Sequence, residues 1–375
     1  MKFIHISDLH LGKRVNEFSM LEDQQYILEQ IKAAIAEQKP DGVLIAGDIY
    51  DKPVPPVEAV NMFDEFLTFI CKADIPVYII SGNHDSAERL SFGSELIRKS
   101  GVFLAKAFDG GTEKYTLTDK YGNVNIYLLP FVKPVIVRHF YGDENIATYT
   151  DAVKAVIDRM NVDTGERNII VAHQFVTGAE RCKSEEVSVG GLDNVDGSVF
   201  APFDYTALGH IHGPQNVGEN IRYCGSPLKY SFSEENHRKS ISVVELLEKG
   251  SVRIDTIPLK PLREMKTITD SYENIDNMPP SEDYFRIILT DNARIPNAQN
   301  KLGLKFPNIM TLEYLSTFRA ADSEKAPEED IKSLSPIEIL EEFFHKRKGE
   351  FMTAEQRKYA EGIIEEIWNG KDGAE

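Results

Sequence analysis

With 375 residues, 42% of them hydrophobic and 27% charged, the chain is long enough to form one large globular domain and smaller additional ones. Its start, MKFIHISDLH, is too polar for a signal peptide or a membrane span, and its three widely spaced cysteines argue against a disulfide framework or a zinc cluster, so we expect a cytoplasmic protein that does not bind membranes. The net charge of −18 argues against passive binding to nucleic acid, but not against an enzyme whose bound metals supply positive charge.

Short apolar runs rich in β-branched residues recur along the first two thirds of the chain and predict buried strands. They are KFIHIS (2–7), GVLIAG (42–47), VYIIS (77–81), VNIYLLP (124–130), NIIVAH (168–173) and YTALGH (205–210). Helical patterns separate several of them, such as Ile27, Ile31 and Ile35 at four-residue spacing. Buried strands that alternate with helices predict an α/β core.

Polar residues follow five of these six runs directly. They are Asp8 and His10 after the first, Asp48 after the second, Asn83 after the third, His173 at the end of the fifth, and His210 and His212 after the sixth. Because sites in α/β sheets form beyond the carboxyl ends of the strands, we expect these side chains to converge.

The chemistry of this set predicts a metal site. Two carboxylates, four imidazoles and one amide oxygen suit Mn²⁺, Fe²⁺ or Zn²⁺ better than Ca²⁺. Seven ligands are too many for one tetrahedral ion, but they suffice for two ions if one carboxylate bridges them. Paired metals about 3.5–4 Å apart are a recurrent device for phosphate ester hydrolysis.

The pattern changes beyond residue 260. Residues 261–320 contain the strand patterns YFRIILT and NIMTLEYL and are expected to form a small α+β domain, and the polar, acidic residues 321–334 are expected to form a linker. Ser335, Pro336 and Glu338 predict the start of a helix, and Thr353 with Gln356 predicts a second capping box. Residues 335–370 are therefore expected to form a pair of short helices.

Each terminal helix has an apolar stripe. The stripes are Ile337, Leu340, Phe343 and Phe344 in the first helix, and Ala360, Ile363, Ile364 and Ile367 in the second. Two short helices beyond a polar linker cannot bury both stripes well against each other, so we interpret them as a partner-binding surface. The alternative is a hairpin folded back on the small domain.

The polar motifs and their surroundings carry a family resemblance. ISDLHLGK, GDIYDKPVPP, IISGNHDSAERL, AHQFVTGAERCKSEE, VFAPFDYTALGHIHGPQ and YCGSPLKYSFSE resemble segments of the calcineurin-like metallophosphoesterases and, within them, of the SbcD family of bacterial nuclease subunits. The resemblance covers residues 1–260 strongly and the remainder by layout. It implies a two-sheet sandwich flanked by helices, with dinuclear-metal phosphoesterase chemistry in residues 1–260, and a capping or DNA-binding role for residues 261–320.

The resemblance also implies a role for each site residue. One metal would be held by Asp8, His10, Asp48 and His212, and the other by Asp48, Asn83, His173 and His210, with Asp48 as the bridge. His84 would donate a hydrogen bond or proton to the leaving oxygen, and Asp51 would orient His84 and favour its protonated form. We expect Asp85 only to cap the following helix.

The implied function is that of a DNA exonuclease and endonuclease in repair and recombination. It would use two divalent ions, with Mn²⁺ expected first, and would act on DNA ends and hairpins with a coiled-coil SbcC-like ATPase, as a homodimer within a 2:2 complex. Lys13, Arg14 and Arg89, which lie close to the motifs, are candidate contacts to DNA phosphates, or alternatively solvated surface charges. The alternative functions are a metallophosphoesterase acting on a phosphoprotein, small phosphodiester or nucleotide, and a non-enzymatic scaffold.

Overall fold

The protein is described here by a computed structural model that covers residues 1–182, 185, 194–315, 337, 340–341, 343–345, 351–353 and 356–360. The chain forms two compact units, residues 1–288 with 295–312, and residues 289–294 with 313–375. No helix in these described ranges is both long and apolar enough to cross a membrane.

The strands follow one another closely and are short. In chain order they are β1 (Lys2–Ile6), β2 (Arg14–Val15), β3 (Phe18–Ser19), β4 (Gly42–Ala46), β5 (Val77–Ile80), β6 (Val102–Leu104), β7 (Glu113–Asp119), β8 (Gly122–Leu129), β9 (Arg167–His173), β10 (Phe175–Val176), β11 (Asn194–Val195), β12 (Tyr205–Gly209), β13 (Gln215–Asn216), β14 (Ile221–Tyr223), β15 (Ser240–Leu246), β16 (Val252–Pro258), β17 (Met265–Asp270), β18 (Tyr284–Leu289) and β19 (Ile309–Tyr314).

The helices lie between the strands. They are α1 (Leu21–Gln38), α2 (Val57–Lys72), α3 (Ala87–Leu90), α4 (Ser94–Ile97), α5 (Pro134–Tyr141), α6 (Tyr149–Arg159), α7 (Tyr272–Asp276) and α8 (Ala298–Leu302), with short 3-10 helices at Arg98–Ser100, Gly197–Phe200 and Phe232–Glu234. All six strands predicted for the first two thirds of the chain are confirmed, as are the helix that carries the isoleucine repeat and the two strands predicted within 261–320.

Two six-stranded mixed sheets form the large domain. The first has the order β16-β15-β1-β4-β5-β6 and the second β13-β14-β12-β9-β8-β7. In the first, β1, β4, β5 and β6 are parallel; in the second, β8, β9, β12 and β14 are parallel. A smaller sheet, β17-β18-β19, follows in the chain.

Successive side chains of a strand point to opposite faces of its sheet, and this alternation explains how the two sheets and the helices form layers. Inward side chains such as Phe3, Leu44 and Tyr205 form one core cluster with residues of both sheets. The opposite faces pack against helices, with Ile31 of α1 in the cluster that covers the first sheet and Val153 of α6 in the one that covers the second. The predicted two-sheet sandwich flanked by helices is thus confirmed.

The C-terminal residues are described only in part. The predicted capping box at Thr353 and Gln356 is confirmed, because the Thr353 N–H donates to Gln356 Oε1 at 2.9 Å and the Gln356 N–H donates to Thr353 Oγ1 at 3.3 Å. The predicted helix start at Ser335, Pro336 and Glu338, and the stripe residues Ile363, Ile364 and Ile367, lie outside the described residues.

Candidate metal centre

Loops from both sheets meet beyond the carboxyl ends of their parallel strands. The main-chain N–H of His210, after β12, donates to Asp8 Oδ1, after β1, at 2.9 Å. Ring atom Nδ1 of His173, in β9, lies 2.8 Å from the carbonyl oxygen of Ala46, in β4. Six of the seven predicted ligands are buried, and the seventh, Asn83, is half-buried. The expected convergence of strand ends is therefore observed.

Several of these loop residues have left-handed backbone conformations, which residues other than glycine rarely adopt. The predicted ligands among them are Asp8 (φ 52°), His10 (φ 44°), Asp48 (φ 50°) and His210 (φ 97°). Such conformations cost roughly 1–3 kcal/mol each and persist where the surrounding structure holds them for a function. Here the Asp8 N–H donates to the Gly47 carbonyl and the His10 N–H to the Asp48 carbonyl, both at 3.0 Å, so the two loops hold each other.

The group Asp48, Asn83, His173 and His210 brings acceptor atoms together. Since the Ala46 carbonyl can only accept, Nδ1 of His173 donates to it, so Nε2 is the ring atom that can lose its hydrogen and ligate a metal. That Nε2 lies 3.0 Å from Asn83 Oδ1 and 3.3 Å from Asp48 Oδ2, which are both acceptors. Nδ1 of His210 lies 3.0 Å from the same Asn83 oxygen. Once Nε2 of His173 has lost its hydrogen all of these atoms are acceptors, so their closeness fits a shared cation in place of that proton.

The group Asp8, His10 and His212 is equally close-packed, since one ligand atom from each lies within 4.8 Å of the others. The Nε2 atoms of His10 and His212 are 3.1 Å apart. Asp48 links the two groups, because its Oδ2 is 3.7 Å from His10 Nε2 and 3.3 Å from His173 Nε2. The Asp48 carboxylate therefore lies between the two groups.

The electrostatics of the centre also fit a cation. Burial raises the pKa of Asp8 to about 6, although the His173 and His212 rings oppose it. Burial also raises the pKa of Asp48, but the neighbouring imidazoles, His173 first, outweigh it and hold that pKa well below its usual range. Burial lowers the pKa of His173, but Asp48 and then Asp8 outweigh it and raise the pKa to about 9. Two buried carboxylates this close need positive charge, which a metal supplies better than a proton.

His84 lies at the edge of the centre, with its ring centroid 4.8 Å from that of His10. Its main-chain N–H donates to Asp48 Oδ1 at 2.9 Å, and its Nδ1 lies 3.1 Å from the main-chain carbonyl oxygen of Asp51. The Asp51 carboxylate instead pairs with Lys13 Nζ at 2.5 Å and lies 3.7 Å from His10 Nδ1. The Asp51 backbone thus contacts His84, while its carboxylate pairs with Lys13.

The expectation that Asp85 caps the following helix is wrong. Ser86 is the N-cap of α3, because its hydroxyl accepts from the Arg89 N–H. The Asp85 carboxylate accepts instead from three main-chain N–H groups, those of Ile49 and Gly82 at Oδ2 and that of Tyr50 at Oδ1, at 3.0–3.1 Å. Asp85 therefore joins the loop after β4 to the loop after β5, which carry Asp48 and Asn83.

The candidate DNA contacts have different environments. Lys13 is half-buried and paired with Asp51. Arg14 and Arg89 are exposed, and the Arg14 guanidinium donates to the Glu17 carbonyl. The two arginines can meet a ligand from solvent, whereas Lys13 would first have to leave its carboxylate.

Sequence reasoning missed the buried charges behind His212. Glu234 and Lys239 are 0% and 5% exposed, and Oε1 of Glu234 lies 3.2 Å from His212 Nδ1. Burial raises the pKa of Glu234, but the Lys239 ammonium and then His212 outweigh it and hold that pKa well below its usual range. The segment SFSEENHRKS carries no spacing that distinguishes these residues from surface charges.

The calcineurin-like phosphoesterase family matches residues 1–214 of this chain, and the family described as type 5 capsule protein repressor C-terminal domain matches residues 261–348. The chain is 32% identical over 365 residues to the SbcD component of the SbcCD nuclease of Staphylococcus epidermidis, a match that covers 95% of this chain and 96% of the relative. It is 33% identical over 373 residues to the corresponding component of Staphylococcus saprophyticus, covering 97% and 98%. A solved dimetal phosphatase from Danio rerio shares 13% identity, covers 70% of this chain and 98% of its own, and has a TM-score of 0.42, too low to inform the site.

Proposed function

The chain belongs to the calcineurin-like phosphoesterase family, and on this premise we propose that it is a metal-dependent nuclease component that hydrolyses DNA phosphodiester bonds. The observation that carries the proposal is the meeting of acceptor atoms from both sheets, where Nε2 of His173 faces Asn83 Oδ1 and Asp48 Oδ2. The names of the two staphylococcal relatives, both components of a nuclease, favour DNA over a phosphoprotein or a small phosphodiester as substrate.

The seven converging side chains would hold two divalent ions. One set is Asp8, His10, Asp48 and His212, and the other is Asp48, Asn83, His173 and His210. We propose Mn²⁺, because a mixture of imidazoles, carboxylates and an amide oxygen suits a borderline-hard ion. When bound, two such ions supply Lewis-acid charge to a phosphate group and lower the pKa of water.

The protein's own residues orient the substrate and move the proton. With Nδ1 of His84 turned to the Asp51 carbonyl, the ring donates its Nδ1–H there, and this contact orients the ring beside the centre. A proton held at Nε2 passes to the leaving oxygen, which makes His84 the general acid. The Asp48 carboxylate also holds the His84 main chain, so one residue positions both the metal ligands and the acid.

An acidic chain can bind DNA if its positive charge is local. The net charge of −18 opposes long-range attraction of phosphate, so ions in the centre would provide the contact. We propose that Arg14 and Arg89, which are exposed, and Lys13, once released from Asp51, contact the DNA backbone near the centre.

We further propose that the protein works with a coiled-coil ATPase of the SbcC type, as a homodimer within a 2:2 complex. The relatives' names describe a part of the SbcCD nuclease, and this supports the partnership. Phe92 and Leu96 are 89% and 80% exposed, and such apolar surface between the motif residues and β6 fits contact with a second copy. In this proposal residues 1–260 carry the chemistry, 261–320 cap it, 321–334 link, and 335–370 bind the ATPase.

The test is cleavage of hairpin DNA and of bis(p-nitrophenyl) phosphate by the full chain with Mn²⁺. We expect cleavage of both, loss of both in Asp48→Ala together with lost metal, and a ~10²-fold slower reaction with full metal content in His84→Ala. Hydrolysis of the small ester alone would support the alternative substrate class. Near-normal cleavage and metal content in Asp48→Ala would refute the dinuclear centre.

A further inference from the structure

A buried polar cluster supports His212 from behind. It consists of Glu234, at the end of a 3-10 helix, Lys239, just before β15, and Ser226. Neither Glu234 nor Lys239 belongs to the seven converging side chains, and burying either charge is costly unless it is paired and hydrogen-bonded. Both are nevertheless buried and within hydrogen-bonding distance of His212, so they are placed to act on that residue.

The cluster contacts both the ring and the backbone of His212. Oε1 of Glu234 lies 3.2 Å from Nδ1 of the ring and also accepts from the Tyr230 N–H at 3.2 Å. Oε2 of Glu234 accepts from Lys239 Nζ. The same ammonium donates to the main-chain carbonyl of His212 and to Ser226 Oγ, both at 2.8 Å. Ring and backbone are thus held by one charged pair.

This arrangement selects one tautomer of His212. An ionised carboxylate has no hydrogen to donate, so the contact with Glu234 requires the hydrogen of the ring to be on Nδ1. In the neutral ring Nε2 then keeps its lone pair, and Nε2 is the atom that faces His10 and the metal centre. Carboxylates that accept from the remote nitrogen of a metal-bound histidine fix its orientation and raise its basicity.

We propose that Glu234 is a positioning residue that fixes the tautomer and orientation of His212 for metal binding, with Lys239 as its buried counter-ion; this rests on the proposed function. Lys239 contacts both Glu234 and the backbone of His212. Its ammonium donates to Oε2 of Glu234, while Oε1 of Glu234 faces His212 Nδ1, and it anchors the His212 backbone through the carbonyl. A charged pair that only stabilised the fold would have no influence on which nitrogen of His212 carries the hydrogen.

The experiment uses the full chain and two readouts. The first is ¹⁵N NMR of histidine side chains in the metal-free protein, with the His212 signals assigned from a His212→Gln variant. The second is calorimetric titration with Mn²⁺. We expect the parent chain to show Nδ1–H at His212, Glu234→Gln to shift the tautomer population, and one of two Mn²⁺ sites to weaken about 10- to 100-fold.

Two further variants separate positioning from folding. Asp119→Asn is the matched control, because Asp119 also pairs with a buried cation, Arg167, but contacts the N-terminus rather than the metal centre. It should lower stability and leave both Mn²⁺ affinities and the His212 tautomer unchanged. If Glu234→Gln does not fold, the double variant Glu234→Gln with Lys239→Gln leaves no charge unpaired and should show the same metal defect.

The outcomes are distinct. A folded Glu234→Gln or double variant with both Mn²⁺ affinities within twofold of the parent and an unchanged His212 tautomer would overturn the role of Glu234. Absence of Mn²⁺ binding by the parent chain would overturn the proposed function instead. In that case the tautomer of His212 in the metal-free chain still decides whether Glu234 positions the ring.

Discussion

Gly209, the last residue of β12, has no room for a side chain. A Cβ at this position would lie 1.9 Å from the Ala46 carbonyl oxygen and 2.7 Å from His173 Nδ1, whereas ordinary contacts begin at 3.4 Å. Ala46 belongs to the other sheet, and its carbonyl accepts the hydrogen bond that orients His173. Gly209→Ala must therefore separate the two sheets by roughly 1.5 Å at this point or displace the His173 ring.

Two costs determine how much Gly209→Ala should lower the free energy of unfolding. Overpacking of a close-packed interior costs about 1–3 kcal/mol. Loss of the 2.8 Å contact between His173 and Ala46 removes about 1 kcal/mol more. We expect Gly209→Ala to lower the free energy of unfolding by about 2–4 kcal/mol, and to weaken Mn²⁺ binding because His173 is no longer held with Nε2 towards Asn83.

The assay is urea unfolding of the metal-free protein, followed by metal analysis after loading with Mn²⁺. Gly111→Ala is the control, since Gly111 is exposed and a Cβ there would meet its nearest atom at 3.6 Å. The control should stay within about 0.5 kcal/mol of the parent. If Gly209→Ala unfolded at the same urea concentration as Gly111→Ala and kept its metal, the tight contact between the sheets would have no energetic role.

Two other predictions concern the core and the tail. Burial, and then the Arg222 guanidinium, lowers the pKa of His5 from 6.5 to about 3, so between these pH values the unfolded chain binds more protons and stability falls as pH falls. At pH 5 this amounts to about 2 kcal/mol. Because the raised pKa values of Asp8 and His173 act with the opposite sign over the same pH range, the quantity to measure is the difference between the parent and His5→Gln. From pH 7 to pH 5, urea unfolding should show a loss of stability about 2 kcal/mol larger in the parent than in His5→Gln, and equal pH dependence in both would contradict it. Ending the chain at Leu334 should preserve cleavage of small DNA substrates and abolish co-purification with the ATPase, and unchanged binding would place the partner site elsewhere.

The main elements of the fold could be predicted from the sequence because their patterns are local. The run GVLIA in β4 is buried on both faces, and such a run of β-branched and apolar residues predicts a central strand wherever it pairs. The positions of the candidate ligands also follow from local patterns. A strand end sets where Asp48 and Asn83 lie, and parallel neighbours bring those ends together.

Contacts between segments that are distant in the sequence could not be predicted from local patterns. Glu234 meets His212 from 22 residues away and Asp85 meets Tyr50 from 35 residues away, and neither has a spacing that local periodicity records. The resemblance implies that Asp51 orients His84, but only the folded chain shows that the Asp51 carbonyl contacts the His84 ring and that the Asp51 carboxylate pairs with Lys13. The local sequence determines the chemical type of a candidate ligand and its position at the end of a strand. The partner of a buried polar atom depends instead on which surfaces the folded sheets bring together.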